Sequence, residues 1–274
     1  MLGASRTSLG AARTRLAQLG EQQGVDLDAL ANDLLAVAGL LVRELPLRRA
    51  LADPSTAPEA KAALLDGLLG QRVGSAALDF VKELVGARWS RPSDLADALE
   101  TLAVLASFEQ ALVAGTLDEV EDDLFRFARI VEREGALREA LEDDWAADDR
   151  KRALLDSLLA GKVGPISLRV ITAAALVSVR RRNVHDALEQ FSRLAAELRE
   201  RLNARVTVAV EPTPEQLERL GEGLARVFGK KMGLRVEVDP QILGGVVVRV
   251  GDQVLDGSIA RRLDIARRGL ARTG

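Results

Sequence analysis

Motifs that could carry catalysis are few and scattered, and the 41 carboxylates are too plentiful to single out a catalytic pair. Gly229-Lys230-Lys231 has the basic end of a phosphate-binding loop, but no Ser or Thr follows the lysine and no first Gly stands at the required spacing. Such a loop therefore lacks the hydroxyl that meets magnesium and the run of amides that cradles phosphate. Gly221-Glu222-Gly223 falls inside a helical stretch and not after a strand, so it is no dinucleotide fingerprint. The single histidine, His185, stands near a helix start beside Asp186, with no serine constellation that sequence can show, and reads as a surface or capping residue. Asp252 and Asp256 flank a short strand. A metal site there would want more oxygen ligands at close spacing, so both read as turn formers. Arg180-Arg181-Arg182 and the cluster Arg261, Arg262, Arg267 and Arg268 could meet phosphate or anionic lipid. Both runs are short and the second is interrupted by Asp264, so they read as solvated or protein-interface charge.

Composition narrows the chemistry further. The absence of Cys excludes disulfides, thiolate metal sites, iron–sulfur clusters and thiol catalysis. One His excludes a histidine metal cluster. A formal net charge of −3 argues against a general nucleic-acid binder, and 3% aromatic residues against a stacking platform for single strands. No cofactor and no metal are expected. The start of the chain lacks the apolar core of a secretory signal, and its longest apolar runs fall short of the ~20 residues a membrane helix needs. The expectation is a soluble, cytoplasmic chain.

The elements that would position any site fall into two regimes. Residues 1 to about 203 are rich in Ala and Leu with helical periodicity; residues 204–274 switch to β-branched alternation punctuated by Gly and Pro. The helical part repeats itself. Shifted by 90 residues, 28–78 and 118–168 are identical at 22 of 51 positions. The best block sets Lys61-Ala62-Ala63-Leu64-Leu65-Asp66 against Lys151-Arg152-Ala153-Leu154-Leu155-Asp156. A period this long exceeds ordinary solenoid units and indicates a duplicated helical bundle. In the first copy Leu30, Leu34, Val37 and Leu41 form one apolar stripe, matched by Val120, Leu124, Phe127 and Val131. Asp28 and Asp118 are placed to cap these helices. Further helices are expected near 46–52, 58–69 and 73–88, and again near 136–142, 146–159 and 163–180. A long helix over 93–114 closes the first bundle and opens the second, with its counterpart at 184–203.

The C-terminal part reads strand–helix–strand–strand–strand–helix. Thr213-Pro214-Glu215-Gln216 is a helix start with a capping box, and Leu217, Leu220, Leu224 and Val227 give that helix an apolar face. Gly251-Asp252 joins two strands as a tight hairpin turn. The fold class is thus mainly α, a duplicated N-terminal helical bundle followed by a small α+β C-terminal domain, divided as 1–95, 96–203 and 204–274. Charge is uneven: residues 94–160 hold 18 acids and 7 bases, a candidate surface for a basic partner.

The run from Leu243 to Ile259, Leu-Gly-Gly-Val-Val-Val-Arg-Val-Gly-Asp-Gln-Val-Leu-Asp-Gly-Ser-Ile, closely resembles the C-terminal signature of the delta subunit of bacterial F-type ATP synthases. The mitochondrial relative is the oligomycin-sensitivity-conferring protein. The resemblance covers about residues 96–272 and rests on Gly244, Gly245, Arg249, Gly251, Asp252, Asp256, Gly257, Ser258 and Arg262. It departs from the family at Ala260-Arg261-Arg262, where the family has Arg-Gly-Arg, and in the additional bundle 1–95, which looks like the long actinobacterial forms. The resemblance implies a non-catalytic stator subunit in a peripheral position on the cytoplasmic face of the plasma membrane. It implies that the helical bundle takes up N-terminal segments of alpha subunits, and that the C-terminal domain holds the b-type stalk. One copy would serve each complex. It also places the alpha-subunit groove at Ala103, Ala106 and Gln110 on one helix and Ile166 and Val170 on another. A helical-repeat scaffold for an unrelated partner, or an enzyme of unrecognised type, would leave that signature a coincidence.

Overall fold

The computed structural model describes residues 1, 3–20, 22, 24–143, 145–177, 183–228, 232–239, 244–250 and 253–257, without the side chains of 200–203. They form two compact units, Met1–Ala195 and Ala196–Gly274.

The first unit is helical. Its elements are α1 (Gly3–Gly20), α2 (Leu27–Arg43), α3 (Leu45–Ala52), α4 (Pro58–Leu69), α5 (Ser75–Gly86), α6 (Pro92–Val113), α7 (Leu117–Arg133), α8 (Gly135–Glu142), α9 (Asp148–Leu159), α10 (Pro165–Leu176) and the start of α11 (Val184–Leu202). The stripe reading assigns no helix to α1, whose buried residues are only Ser5, Leu16 and Leu19. The two expected stripes are core: Leu30, Leu34, Val37 and Leu41 of α2, and Val120, Leu124, Phe127 and Val131 of α7. Burying each such side chain contributes about 1.5–3 kcal/mol.

The caps differ from expectation. Asp26, not Asp28, caps α2, its Oδ1 accepting from the amides of Asp28 and Ala29 at 3.0 and 3.1 Å. Asp28 is drawn away by partners on other helices. At α7 the cap position belongs to Thr116, and Asp118 lies in the first turn, where its charge complements the helix dipole.

The expected shared helix is α6. It packs against α1, α2 and α3 of the first copy and against α7 and α10 of the second. Fifteen of its 22 residues are buried, so it is a core helix for both copies.

The second unit holds the end of α11, then β1 (Asn203–Val208), α12 (Pro214–Phe228), β2 (Gly233–Val238), β3 (Val246–Val250) and β4 (Gln253–Asp256). The sheet order is β2-β1-β3-β4. β1 and β2 are parallel; the other pairs are antiparallel. The capping box is formed: the Thr213 amide donates to Gln216 Oε1 at 2.9 Å, and the Gln216 amide to Thr213 Oγ1 at 3.4 Å. Leu220 and Leu224 pack on Ala204, Val206, Val208 and Val248 of the sheet. Val227 does not follow the expected apolar face; it is 68% exposed. The expected last helix, Gly229-Lys230-Lys231 and Arg180 to Arg182 lie outside the described residues.

Candidate functional site

The five groove residues lie on α6 and α10, which pack together. They do not line an open groove. Ala103, Ala106 and Val170 have no exposed surface and Ile166 has 8%; Gln110 is half-buried. Small Ala side chains let helices approach closely, and here the approaching helices belong to the same chain.

A polar cluster ties these helices to α2. Arg169 on α10 donates through Nε to Ser107 Oγ at 3.1 Å and through Nη1 to Asp28 Oδ1 at 2.6 Å. Its Nη2 donates to Gln110 Oε1. Gln110 Nε2 donates to the same Asp28 Oδ1 at 3.0 Å, and Asn32 Nδ2 to Asp28 Oδ2 at 3.1 Å. Ser107 is satisfied in turn by donating to the Ala103 carbonyl at 3.0 Å. The hydrogen bond from Arg169, then that from Gln110, holds the Asp28 carboxyl below its usual range. Asp28 thus bridges α6 and α10 from the first copy. A second link between the copies, Arg43 Nη1 to Asp148 Oδ2 at 3.3 Å, is exposed at both ends and contributes little.

Sequence reasoning gives Asp28 only a capping role and passes over Ser107 and Arg169. A signal was present in the repeat: Arg169 stands where the first copy has Asp79. That reversal of charge between matched positions marks a residue with work outside its own bundle.

The acidic stretch 94–160 is only partly a surface. Asp94, Asp97 and Glu100 are buried on α6. Asp94 Oδ2 accepts from Ser5 Oγ at 2.8 Å, and Ser5 Oγ accepts from the Ser90 amide at 2.8 Å. Their matched residues Asp186 and Glu189 on α11 are exposed. His185 lies with Nδ1 3.4 Å from the Ala128 carbonyl and Nε2 3.5 Å from Glu189.

In the second unit, Gly244 and Gly245 have φ of 99° and 89°, a region that L side chains avoid. Gly257 donates its amide to the Val246 carbonyl at 2.9 Å, and a Cβ there would meet that oxygen at 3.1 Å. Asp256 pairs across the ladder with Val247, and Arg249 is exposed on the sheet. Arg249 faces Arg205 directly, and Arg205 faces Arg235; sequence reasoning missed the latter two. Gly251, Asp252, Ser258 and Arg262 lie outside the described residues. No group of acids and histidines that could hold a metal ion occurs among the described residues, and no described helix is long and apolar enough to cross a membrane.

The family model described as "ATP synthase delta (OSCP) subunit" matches residues 104–270. The ATP synthase subunit delta of Streptomyces avermitilis is 47% identical over 98% of both chains. That of Frankia alni is 45% identical over 99% of this chain and all of its own. A chain in a cryo-EM structure of the Toxoplasma gondii mitochondrial ATP synthase hexamer aligns over 63% of this chain and 97% of its own. Its identity is 19% and its TM-score 0.33.

Proposed function

The chain belongs to the ATP synthase delta (OSCP) subunit family, and on that premise we propose how its parts divide the work of a stator. It is a non-catalytic component of the peripheral stalk of an F-type ATP synthase. In the proposed division, the helical bundle 96–203 faces the catalytic head and takes up alpha-subunit N-terminal segments, while 204–274 hold the b-type stalk. One copy per complex sits at the cytoplasmic face of the plasma membrane, attached through its partners. The observation that carries this reading is a family match that runs from the middle of α6 past β4.

The alpha contact has a physical condition attached. Ala103, Ala106 and Val170 are covered in the free chain, so a partner helix reaches them only where the helices packed on α6 and α10 give way. Helix-in-groove recognition would then replace one amphipathic helix by another. The test is capture of an alpha-subunit N-terminal peptide and, separately, of the soluble b-type stalk by the full chain. Binding of neither would refute the division. Binding of the alpha peptide alone would refute the role given to 204–274.

A further inference from the structure

Among the described residues, the second unit has one sheet face packed under α12 and one left uncovered. The ladder fixes what the open face displays. Arg235 on β2, Arg205 on β1 and Arg249 on β3 stand directly opposite one another, Arg205↔Arg235 and Arg205↔Arg249. All three are exposed, and no ion pair or hydrogen bond to an acid engages them among the described residues. Like charges directly opposite in a sheet are destabilising. An open face needs polar residues to meet water, and Thr207 supplies that one row away; water does not require three arginines in line. The next row, Glu237–Thr207–Val247–Asp256, has a neutral centre.

We propose that this arginine row is a docking strip for an acidic helix of the stalk subunit, lying across the strands. This rests on the reading that 204–274 hold the stalk. Neighbouring strands are about 4.8 Å apart, so the three guanidinium groups step across the sheet at about that interval. An α-helix rises 5.4 Å per turn, and Asp or Glu at i, i+3 or i+4, and i+7 meets such a row one acid to each arginine. Arginine suits the task because its planar fork takes a carboxylate with two parallel hydrogen bonds. The half-buried Thr207 and Val247 beside the row leave room for the partner's apolar positions. The chain's own residues after 257 do not fit this strip by charge: they hold five arginines and one acid.

The experiment uses the full chain with the soluble part of the b-type stalk subunit as probe, at low and physiological salt. Wild type binds, and affinity falls as salt rises. Arg205→Glu weakens binding about tenfold at low salt, and Arg205→Lys by only about two- to threefold. The same Arg205→Glu change places an acid between Arg235 and Arg249, so the unfolding midpoint of the second unit rises by about 1–5 °C. Lower affinity with higher stability is the signature of a docking role, which a merely structural arginine would not give. Stalk binding that is unchanged in the Arg205→Glu, Arg235→Glu, Arg249→Glu triple variant overturns the strip while leaving the stalk reading intact. Failure of the wild-type chain to bind the stalk at all overturns both. Equal competition by a polyglutamate peptide shows a non-specific anion surface and also overturns it.

Discussion

Breaking the Asp28–Arg169 contact should loosen the first unit by an amount the structure lets one work out. Arg169→Met keeps the aliphatic stem but removes three donors: one to Asp28 at 2.6 Å, one to Ser107 at 3.1 Å and one to Gln110. A charge-assisted bond contributes about 1.5–3 kcal/mol and a neutral one about 0.5–1.5. Asp28 is 57% exposed while Arg169 is 11% exposed, so solvent screening puts the ion pair at the low end of that range. The loss for Arg169→Met is then about 2–3 kcal/mol. Asp28→Asn keeps the shape and loses the charge, for about 1 kcal/mol. In the double variant the penalties overlap, giving a coupling of about 1 kcal/mol. Fluorescence reports this unit alone, because both tryptophans lie within it. Trp89 is buried with its indole donating to the Leu84 carbonyl at 2.9 Å, and Trp145 is 95% exposed, so unfolding is read at Trp89. For a unit of this length, 2–3 kcal/mol lowers the midpoint by about 4–12 °C. The pH dependence follows from the sign. Asp28 titrates below its ordinary 3.8 when folded, so its contribution is present above the unfolded value and lost as pH falls through the folded one. A coupling under about 0.3 kcal/mol at neutral pH, or one that does not weaken as acid protonates Asp28, would refute the assignment of this cluster as the tie between the copies.

The remaining predictions concern other parts of the fold. Lys61 is buried with Nζ donating to the Val85 carbonyl at 3.1 Å, and burial pushes its ammonium below 10.5. Stability should therefore rise with pH between the folded value and 10.5, where the unfolded chain binds more protons. Lys61→Met should abolish that rise while changing stability at pH 7 by under about 1 kcal/mol, as denaturant titrations at several pH values would show. Gly244→Ala or Gly245→Ala forces a side chain into positive φ and should cost about 1–2 kcal/mol each, measured on the second unit by circular dichroism. Deleting residues 1–90 uncovers the α6 residues that α1, α2 and α3 cover, Leu95, Leu99 and Leu102 among the fully buried candidates. The truncated chain should self-associate in sedimentation experiments. A monodisperse, folded remainder would show that the second copy is complete without the first.

Much of this protein was determined by sequence alone. The duplication, the helix stripes and the Thr213–Gln216 capping box are local patterns, and a pattern with period 3.6 or 2 forms the same element wherever it is placed. The signature glycines at 244 and 245 were legible for the same reason, since positive φ is a property of the residue itself. What tertiary structure decided are the contacts between residues far apart in the chain. Asp28 looks like a cap in its own helix, and only the approach of α10 brings Arg169, 141 residues away, to claim its carboxylate. Asp97 and Glu100 look like surface acids, and only the packing of other helices around α6 buries them. The five groove residues lie on α6 and α10, which pack together, and tertiary packing leaves four of them little or no surface. Arg205, Arg235 and Arg249 come from three separate segments. Their alignment is a matter of register, which the pairing of β1 with β2 and β3 sets and no single strand can state.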